Sequence, residues 1–237
     1  MFNVQCSMFK KHIPNTITCC NLISGCIATY FAFLGDFEMA LLFIIIGAVF
    51  DFFDGMSARL FGVSSPIGKE LDSLADDVTF GFAPSAIVFA YISSFPTHLP
   101  LLPFLAFIMA AFSALRLAKF NLDERQALGF IGLPTPANAL FWGSLICGLE
   151  EHSSLFTFHS SLPYIILVGT FVSSYLLISE IPMFALKFKH WGWKGNEVKY
   201  IFVLSCIPLL LILRVSGFAA IIAWYVLLSM FTNKTTK

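Results

Sequence analysis

Charged residues are scarce in this sequence. Asp, Glu, Lys and Arg make up only 12% of its 237 residues, whereas 58% are hydrophobic and 28 are phenylalanine. A soluble globule of this length would need more polar surface than these residues supply. The composition therefore predicts an all-α integral membrane protein.

Several other features are missing, and each absence excludes a class of function. The formal net charge is zero, so no soluble polyanion such as nucleic acid is indicated as a partner. The six cysteines form no CxxC pair, and the five histidines lack metal-ligand spacing. No Walker A motif, internal repeat, Ser-His-Asp arrangement or secretory cleavage site is present. We therefore expect one membrane domain over residues 1–237, with its first span retained.

Long apolar runs are what the chain has instead. A membrane-spanning helix needs about 20 mainly apolar residues. Eight segments are candidates, at approximately 14–34, 39–59, 70–95, 99–115, 134–149, 162–184, 200–213 and 216–231. We interpret residues 14–184 as a bundle of six core transmembrane helices and residues 199–231 as a C-terminal hairpin of about two further spans, divided at Arg214 and Gly217. A re-entrant hairpin after six spans is the alternative.

The basic residues predict the orientation of these spans, because Lys and Arg stay on the cytoplasmic side of short loops. With the N-terminus inside and eight alternating spans, every base except Arg214 lies inside. The inside bases are Lys10, Lys11, Arg59, Lys69, Arg116, Lys119, Arg125, Lys187, Lys189, Lys194, Lys199, Lys234 and Lys237. We expect a protein of the cytoplasmic, or inner, membrane of a prokaryote, with its functional site facing the cytoplasm.

Four aspartates interrupt the apolar sequence between residues 51 and 76. On a helix, Asp51 and Asp54 project from one face, and Asp72 and Asp76 project from one face of a second helix. Two helices can therefore bring four carboxylates to one point. A charge at bilayer depth costs roughly 2.5–3.5 kcal/mol, so a cation should neutralise this cluster. Small residues, Gly55, Ala58, Gly62 and Gly68, leave room for another molecule between the two pairs.

Ligands that are all carboxylates favour hard cations such as Mg²⁺, Mn²⁺ or Ca²⁺ over Zn²⁺. Mg²⁺ commonly completes its shell with phosphate oxygens, so the cluster suggests a phosphate-bearing substrate. Four aspartates can hold two ions roughly 3.5–4 Å apart, an arrangement that suits phosphoryl displacement.

Polar residues in neighbouring segments have two interpretations each. Asn15, Thr18 and Asn21 share a helical face, which either packs on a neighbouring helix or lines the cavity of the aspartates. Arg116 and Lys119 also share a face and serve either as membrane anchors or as an anion pocket. Three single residues carry further predictions. We expect Pro14 to begin the first helix, Asp77 to face away from Asp76 as a supporting or interface residue, and Pro84 to kink the third span.

The spacing of these residues resembles the signature of the CDP-alcohol phosphotransferase family of integral membrane enzymes. Residues 51–76 contain its pattern without departure, as Asp51-x2-Asp54-Gly55-x2-Ala58-Arg59-x8-Gly68-x3-Asp72-x3-Asp76. Within the family, the resemblance is greatest to the membrane-embedded phosphatidylserine synthases. It includes residues 14–25, 71–84, 115–121 and 130–139, and it fades after about residue 140.

The resemblance implies a reaction in which a CDP-linked lipid transfers its phosphatidyl group to an alcohol and releases CMP. For a phosphatidylserine synthase, the substrates are CDP-diacylglycerol and L-serine, and the family usually forms homodimers. The resemblance implies that Asp51, Asp54, Asp72 and Asp76 hold two ions, Mg²⁺ or Mn²⁺, and that Asp76 is also the general base. Gly55, Ala58 and Gly68 would line the cytidine and diphosphate pocket, with Arg59 nearby. Arg116 and Lys119 are candidates for the serine carboxylate.

Two other functions compete with this interpretation. A sibling enzyme would use glycerol 3-phosphate or an inositol phosphate, and its acceptor pocket should need more cationic side chains. An ion or metal transporter would more often place carboxylates near the bilayer midplane, on broken helices of repeated halves. The sequence shows no such repeat, and its acids cluster at one face.

Overall fold

The computed structural model describes residues 2–63, 65–96, 99–122, 130–151, 161–183, 192 and 196–232. Within these ranges the chain is almost entirely helical. The α-helices are α1 Phe2–Leu34, α2 Phe37–Phe61, α3 Pro66–Asp76, α4 Ala83–Ser93, α5 Ile108–Leu122, α6 Thr135–Glu151, α7 Leu162–Ile178, α8 Glu197–Leu213 and α9 Ser216–Thr232. A π-helical stretch, Asp77–Phe82, joins α3 to α4, and a 3₁₀ stretch, Leu102–Phe107, leads into α5.

The helices confirm an all-α integral membrane protein. Among the described residues, the stretches His12–Leu34, Phe37–Phe61 and Leu102–Leu122 are long and apolar enough to cross a membrane, and Leu162–Ile178 and Ser216–Phe231 are shorter apolar helices. Large apolar side chains such as Leu122 and Leu211 are exposed, as expected for a surface that contacts lipid. The number of spans and the division into one domain remain predictions.

The charge pattern can be followed only in part. The side chains of Lys10 and Lys11 and the residues Arg125, Lys187, Lys189, Lys194, Lys234 and Lys237 lie outside the described residues. Arg214, the base predicted on the opposite side, lies 3.8 Å from Glu151 in an exposed ion pair. The orientation of the spans remains a prediction.

Several predicted helix boundaries are wrong. Pro14 lies inside α1, which begins well before it, and does not start a helix. The sixth predicted span ends at Ile178 and not at residue 184. Its chain becomes extended at Ser179, with a φ of −66° and a ψ of 149°, because Pro182 lies just ahead and cannot donate a helical hydrogen bond. The break at Arg214 is confirmed, since this residue has a φ of 48° and ends α8.

A two-residue antiparallel pairing was not predicted from the sequence. Strand β1, Phe130–Ile131, pairs with β2, Pro182–Met183, and so connects the segment before α6 to the segment after α7. Gly132 follows β1 with a φ of 75°, and its N–H donates to the carbonyl of Ile181. Strands this short carry too little alternation to be recognised as strands.

Close packing of α1, α2 and the π-helical stretch sets the position of the aspartates. A Cβ on Gly25 of α1 would lie 2.7 Å from Thr79 Cα, and one on Gly47 of α2 would lie 2.5 Å from Thr79 Cγ2. Thr79 also donates a 3.0 Å hydrogen bond to the backbone carbonyl of Asn21. The two glycines therefore let the backbone just after Asp76 lie directly between α1 and α2.

A wide helical turn follows Asp76 and ends just before Pro84, the residue at which a kink is predicted. In this stretch the N–H of Ala83 donates to the carbonyl of Val78, five residues earlier. Pro84 has no N–H, so it cannot continue the hydrogen-bond pattern by itself. Single π-helical turns inside α-helices often occur at functional sites, and this one begins at the residue after Asp76.

Candidate active site

Three of the four aspartates meet at one point. Asp51 of α2 and Asp72 and Asp76 of α3 each offer a carboxylate oxygen, and these oxygens lie within 4.8 Å of one another. All three side chains are partly buried. Such close carboxylates repel one another strongly unless a cation lies between them. Their donor atoms are all oxygens, so the residues fit a hard divalent cation such as Mg²⁺ or Mn²⁺.

Asp54 lies outside this group of three and is held separately. It is only 6% exposed and accepts a 2.6 Å hydrogen bond from Thr18 Oγ1. The same hydroxyl lies 3.0 Å from the carbonyl of Pro14, on its own helix. Helix α1 thus orients Asp54. The sequence suggested four carboxylates at one point, whereas the structure places three there and the fourth, Asp54, beside them.

The last carboxylate is also oriented by α1. Asn21 Nδ2 donates a 3.1 Å hydrogen bond to Asp76 Oδ1. Asn21 is completely buried, and it lies one helical turn after Thr18. Of the two interpretations of the polar stripe on the first span, the structure therefore supports the one in which the stripe faces the aspartates.

A cavity of about 360 Å³ opens beside the aspartates. It is bounded by α1, the end of α2 and the start of α3, and it contains three of the residues expected to line a nucleotide pocket, Gly55, Ala58 and Gly68. Its full lining is Pro14, Asn15, Thr18, Asp54, Gly55, Ala58, Val63, Ser65, Gly68, Lys69 and Asp72. Two carboxylates therefore share a wall with a space of the size that ligands occupy.

Helix ends shape the floor of this cavity. Gly62 has a φ of 61° and ends α2, where its N–H donates to the carbonyl of Arg59. Ser65 then caps α3 by accepting a 3.0 Å hydrogen bond from the N–H of Gly68. The Gly68 Cα faces Asn15, since an added Cβ would lie 3.0 Å from Asn15 Oδ1. A side chain at residue 68 would therefore narrow the cavity.

Lys69 is a cavity residue to which the sequence assigned only a role in topology. Its Nζ donates a 2.8 Å hydrogen bond to the backbone carbonyl of Asn121, at the end of α5. Asn121 Nδ2 in turn donates a 2.8 Å hydrogen bond to Ser73 Oγ. These contacts tie α3 to α5 and hold a cation at the wall of the cavity. The position of Lys69 in the sequence, between Gly68 and Asp72, is the feature that could have indicated a place in the cavity.

The three other basic residues predicted for the site lie in different surroundings. Arg59 is exposed and is absent from the cavity lining, and Lys119 is exposed as well. Arg116 is only 8% exposed, and its charge interacts with that of Asp76. Its Nη1 lies 3.4 Å from Thr135 Oγ1. Arg116 and Lys119 therefore lie in different surroundings, one buried and one exposed, and their joint role as an anion pocket stays a prediction.

Asp77 faces away from Asp76, as its position on the helix predicts. It lies beside Ser113 of α5, and both side chains approach Gly81 of the π-helical stretch, where an added Cβ would be 2.7 Å from an oxygen of each. A buried Asn138 on α6 is a further polar residue that sequence reasoning missed. The only sequence signal for Asn138 was a polar amide in the apolar run that follows Pro136.

Comparison with known proteins supports the grouping of these residues. A family model described as CDP-alcohol phosphatidyltransferase matches residues 11–172, which is more than half of the chain. This chain belongs to the CDP-alcohol phosphatidyltransferase family. It is therefore a transferase, and the family match extends beyond residue 140, where the recognised resemblance faded. All the predicted site residues fall inside the matched range, whereas α8 and α9 lie after it.

Three relatives of this chain share one name, CDP-diacylglycerol–serine O-phosphatidyltransferase. The Bacillus subtilis relative is 37% identical over 191 residues, which cover 79% of this chain and 95% of the relative. The Methanocaldococcus jannaschii relative is 33% identical over 81% of this chain and 80% of its own length. The Helicobacter pylori relative is 31% identical over 76% of this chain and 75% of its own length.

Proposed function

We propose that this phosphatidyltransferase moves the phosphatidyl group of CDP-diacylglycerol to the hydroxyl of L-serine, giving phosphatidylserine and CMP. The observation that carries the proposal is the convergence of Asp51, Asp72 and Asp76 beside a cavity lined by Asp54, Gly55 and Gly68. The names of the relatives support the choice of CDP-diacylglycerol and serine as substrates.

The aspartates are proposed to hold one or two divalent ions, Mg²⁺ or Mn²⁺. Asp51, Asp72 and Asp76 have the geometry for a shared ion, and Asp54 is close enough to the cavity to contribute to a second one. When bound, such ions neutralise diphosphate charge and stabilise the oxygens that enter and leave the phosphorus. Asn21 and Thr18 keep the carboxylates of Asp76 and Asp54 in fixed orientations for this purpose.

The cavity is proposed to receive the cytidine diphosphate part of the lipid. Gly55 has no atom within 4 Å of the position that its Cβ would occupy, so the nucleotide can approach the backbone of α2 there. The small side chains of Ala58 and Gly68 leave room for the nucleotide elsewhere in the cavity. Lys69 supplies a cation for a phosphate oxygen. Arg59 is proposed to act nearby, at the exposed end of α2.

Asp76 is the proposed general base. The hydroxyl oxygen of serine forms a bond to the phosphorus that carries the glyceride, and its proton passes to Asp76. The bond from this phosphorus to the bridging oxygen breaks, and CMP leaves with the electron pair. Arg116 is proposed to hold the serine carboxylate, because it is buried and its charge interacts with that of Asp76. The exposed position of Lys119 gives it a weaker claim to the same role.

The cellular setting is part of the proposal. We infer a single membrane domain in the cytoplasmic membrane of a prokaryote, with the site facing the cytoplasm, where a soluble amino acid can reach it. We also infer that the protein works as a homodimer, as the family resemblance implies.

The test uses purified protein in detergent, with CDP-diacylglycerol, Mn²⁺ or Mg²⁺, and CMP release as the measured quantity. L-serine, glycerol 3-phosphate and inositol phosphate are supplied in separate reactions. Metal-dependent CMP release with L-serine alone is the expected result. Release with glycerol 3-phosphate or inositol phosphate in place of serine would contradict the proposed acceptor, and no release with any of the three would favour the transporter interpretation.

A further inference from the structure

Buried polar atoms without partners lie beside the aspartate cluster and have no place in the function proposed so far. Among the described residues, Arg116 Nε and both amide atoms of Asn138 are buried and lack a hydrogen-bond partner, and Asp77 Oδ1 and Ser113 Oγ are buried with no partner beyond each other's side chains. Asn138 and Ser113 are completely buried. Buried polar groups are almost always paired, so a concentration of unpaired ones indicates that a polar ligand completes them.

These side chains come from three elements that meet next to Asp76. A Cβ on Gly81 would lie 2.7 Å from both Asp77 Oδ1 and Ser113 Oγ, so these two atoms lie close together beside Gly81. Arg116 lies one turn after Ser113 on α5, and it reaches across to Thr135 of α6. Asn138 lies one turn after Thr135, on the face of α6 that Thr135 presents.

Helix α6 also packs against the π-helical stretch that contains Asp77. The four residues therefore lie on three elements that are brought together by the π-helical stretch. Arg116 connects this group to the proposed base, because its charge interacts with that of Asp76, whereas the Asp77 side chain itself faces away from Asp76.

The unpaired atoms differ in sign, and this determines what they can bind. Arg116 presents a cation with a free N–H donor, which suits a carboxylate. Asp77 presents a buried acceptor on an anionic group, which suits an ammonium, and Asn138 Oδ1 and Ser113 Oγ supply neutral acceptors. A ligand that carries a negative and a positive charge a short distance apart, a zwitterion, complements both the Arg116 cation and the Asp77 anion. A phosphate-bearing acceptor would place its negative charge beside Asp77.

We propose that Asp77, Ser113 and Asn138 form the subsite for the α-ammonium group of the acceptor amino acid, opposite the carboxylate held by Arg116. This inference rests on the proposed function, since it concerns how L-serine is oriented. With both charged ends held, the hydroxyl of serine is directed to Asp76. The subsite accounts for recognition of an amino acid and not only of an alcohol.

The test compares L-serine with 3-hydroxypropionate, which has the same hydroxyl and carboxylate but no ammonium group. In Asp77→Asn, the KM for L-serine should rise by roughly tenfold, because the partner of the ammonium loses its charge. The KM for CDP-diacylglycerol should stay within about twofold. The preference of the enzyme for L-serine over 3-hydroxypropionate, expressed as the ratio of kcat/KM values, should fall by roughly tenfold.

Asn138→Ala should likewise raise the KM for L-serine and lower the preference for L-serine, with the KM for CDP-diacylglycerol again within about twofold. It provides the test if Asp77→Asn fails to fold. Ser144→Ala, which removes another buried hydroxyl from α6, is the matched control and should change none of them. The proposal is overturned if L-serine KM stays within about twofold of the wild type in both variants. If the wild-type protein releases no CMP with L-serine, the proposed function has failed and the subsite fails with it. If the wild type is active with L-serine but neither variant changes the KM for L-serine, the subsite alone is rejected.

Discussion

Asn21 Nδ2 lies 3.1 Å from Asp76 Oδ1, and this hydrogen bond joins helix α1 to the carboxylate proposed as the general base. The other amide atom of Asn21, Oδ1, is buried and has no partner among the described residues. The completely buried amide of Asn21 on α1 therefore orients the Asp76 carboxylate on α3 directly, with no intervening side chain.

We expect Asn21→Ala to lower kcat by roughly 10-fold to 100-fold, because residues that orient metal-ligating carboxylates have effects of this size. The Mn²⁺ concentration needed for half-maximal activity should rise in the same variant. Ser24→Ala is the control, since Ser24 is also buried on α1 but its hydroxyl donates to the carbonyl of Cys20 on its own helix. Equal effects in the two variants would mean that packing of α1, and not orientation of Asp76, is responsible.

Removal of divalent metal should abolish activity. We expect a chelator to stop CMP release and added Mg²⁺ or Mn²⁺ to restore it, because three carboxylates within 4.8 Å need a cation to hold them together. Asp51→Asn, Asp72→Asn and Asp76→Asn should each reduce activity by about a hundredfold or more. Glu151→Gln alters an exposed acid on another helix and should leave the rate near that of the wild type. Full activity in the chelator would contradict the metal proposal.

Two glycines in the first two helices should respond oppositely to alanine. In Gly25→Ala the new Cβ would lie 2.7 Å from Thr79 Cα, a backbone atom that cannot move aside easily, so the free energy of unfolding should fall by about 1–3 kcal/mol. In Gly55→Ala no atom lies within 4 Å of the new Cβ, so stability should be preserved.

Because Gly55 lines the cavity, its methyl group should instead raise the KM for CDP-diacylglycerol several-fold. Thermal unfolding in detergent and CMP-release kinetics measure the two effects separately. A stable Gly25→Ala protein would show that α1 and the π-helical stretch do not pack as closely as described.

Arg116 and Lys119 should differ in their effects on serine. Arg116→Lys keeps the charge but loses the planar pair of donors, so we expect the KM for L-serine to rise by roughly tenfold. Lys119→Met should change it by less than about twofold, because Lys119 is exposed. The measurement is CMP release at varied L-serine with saturating CDP-diacylglycerol. A larger effect at Lys119 than at Arg116 would reverse the assignment of the carboxylate partner.

Lys69 offers a separate test of the nucleotide cavity. Lys69→Met keeps the length of the side chain but removes the cation from the cavity wall and the hydrogen bond to Asn121. We expect the KM for CDP-diacylglycerol to rise several-fold while the KM for L-serine changes little. The reverse pattern, with serine affected and the lipid unaffected, would remove Lys69 from the proposed diphosphate pocket.

Much of the site follows from spacing in the sequence. The intervals between Asp51 and Asp54 and between Asp72 and Asp76 predicted two carboxylate-bearing helix faces, because helical periodicity is local and can be read residue by residue. The same periodicity predicted that Asp77 would face away from Asp76. Spacing did not reveal that Asp54 is held apart from the other three, since that depends on a hydroxyl 36 residues earlier in the chain.

The amino-acid sequence by itself determined the membrane class, the break at Arg214 and the family signature, because composition, helix breakers and short motifs are local properties. Only the tertiary structure decided that Asn21 contacts Asp76, that Arg116 is buried while Lys119 is exposed, and that Asp77 lies beside Ser113. These relationships depend on which helices pack side by side. In this protein, Gly25 and Gly47 allow that packing by leaving space for Thr79, and a glycine in a sequence does not indicate which residue will fill the space it leaves.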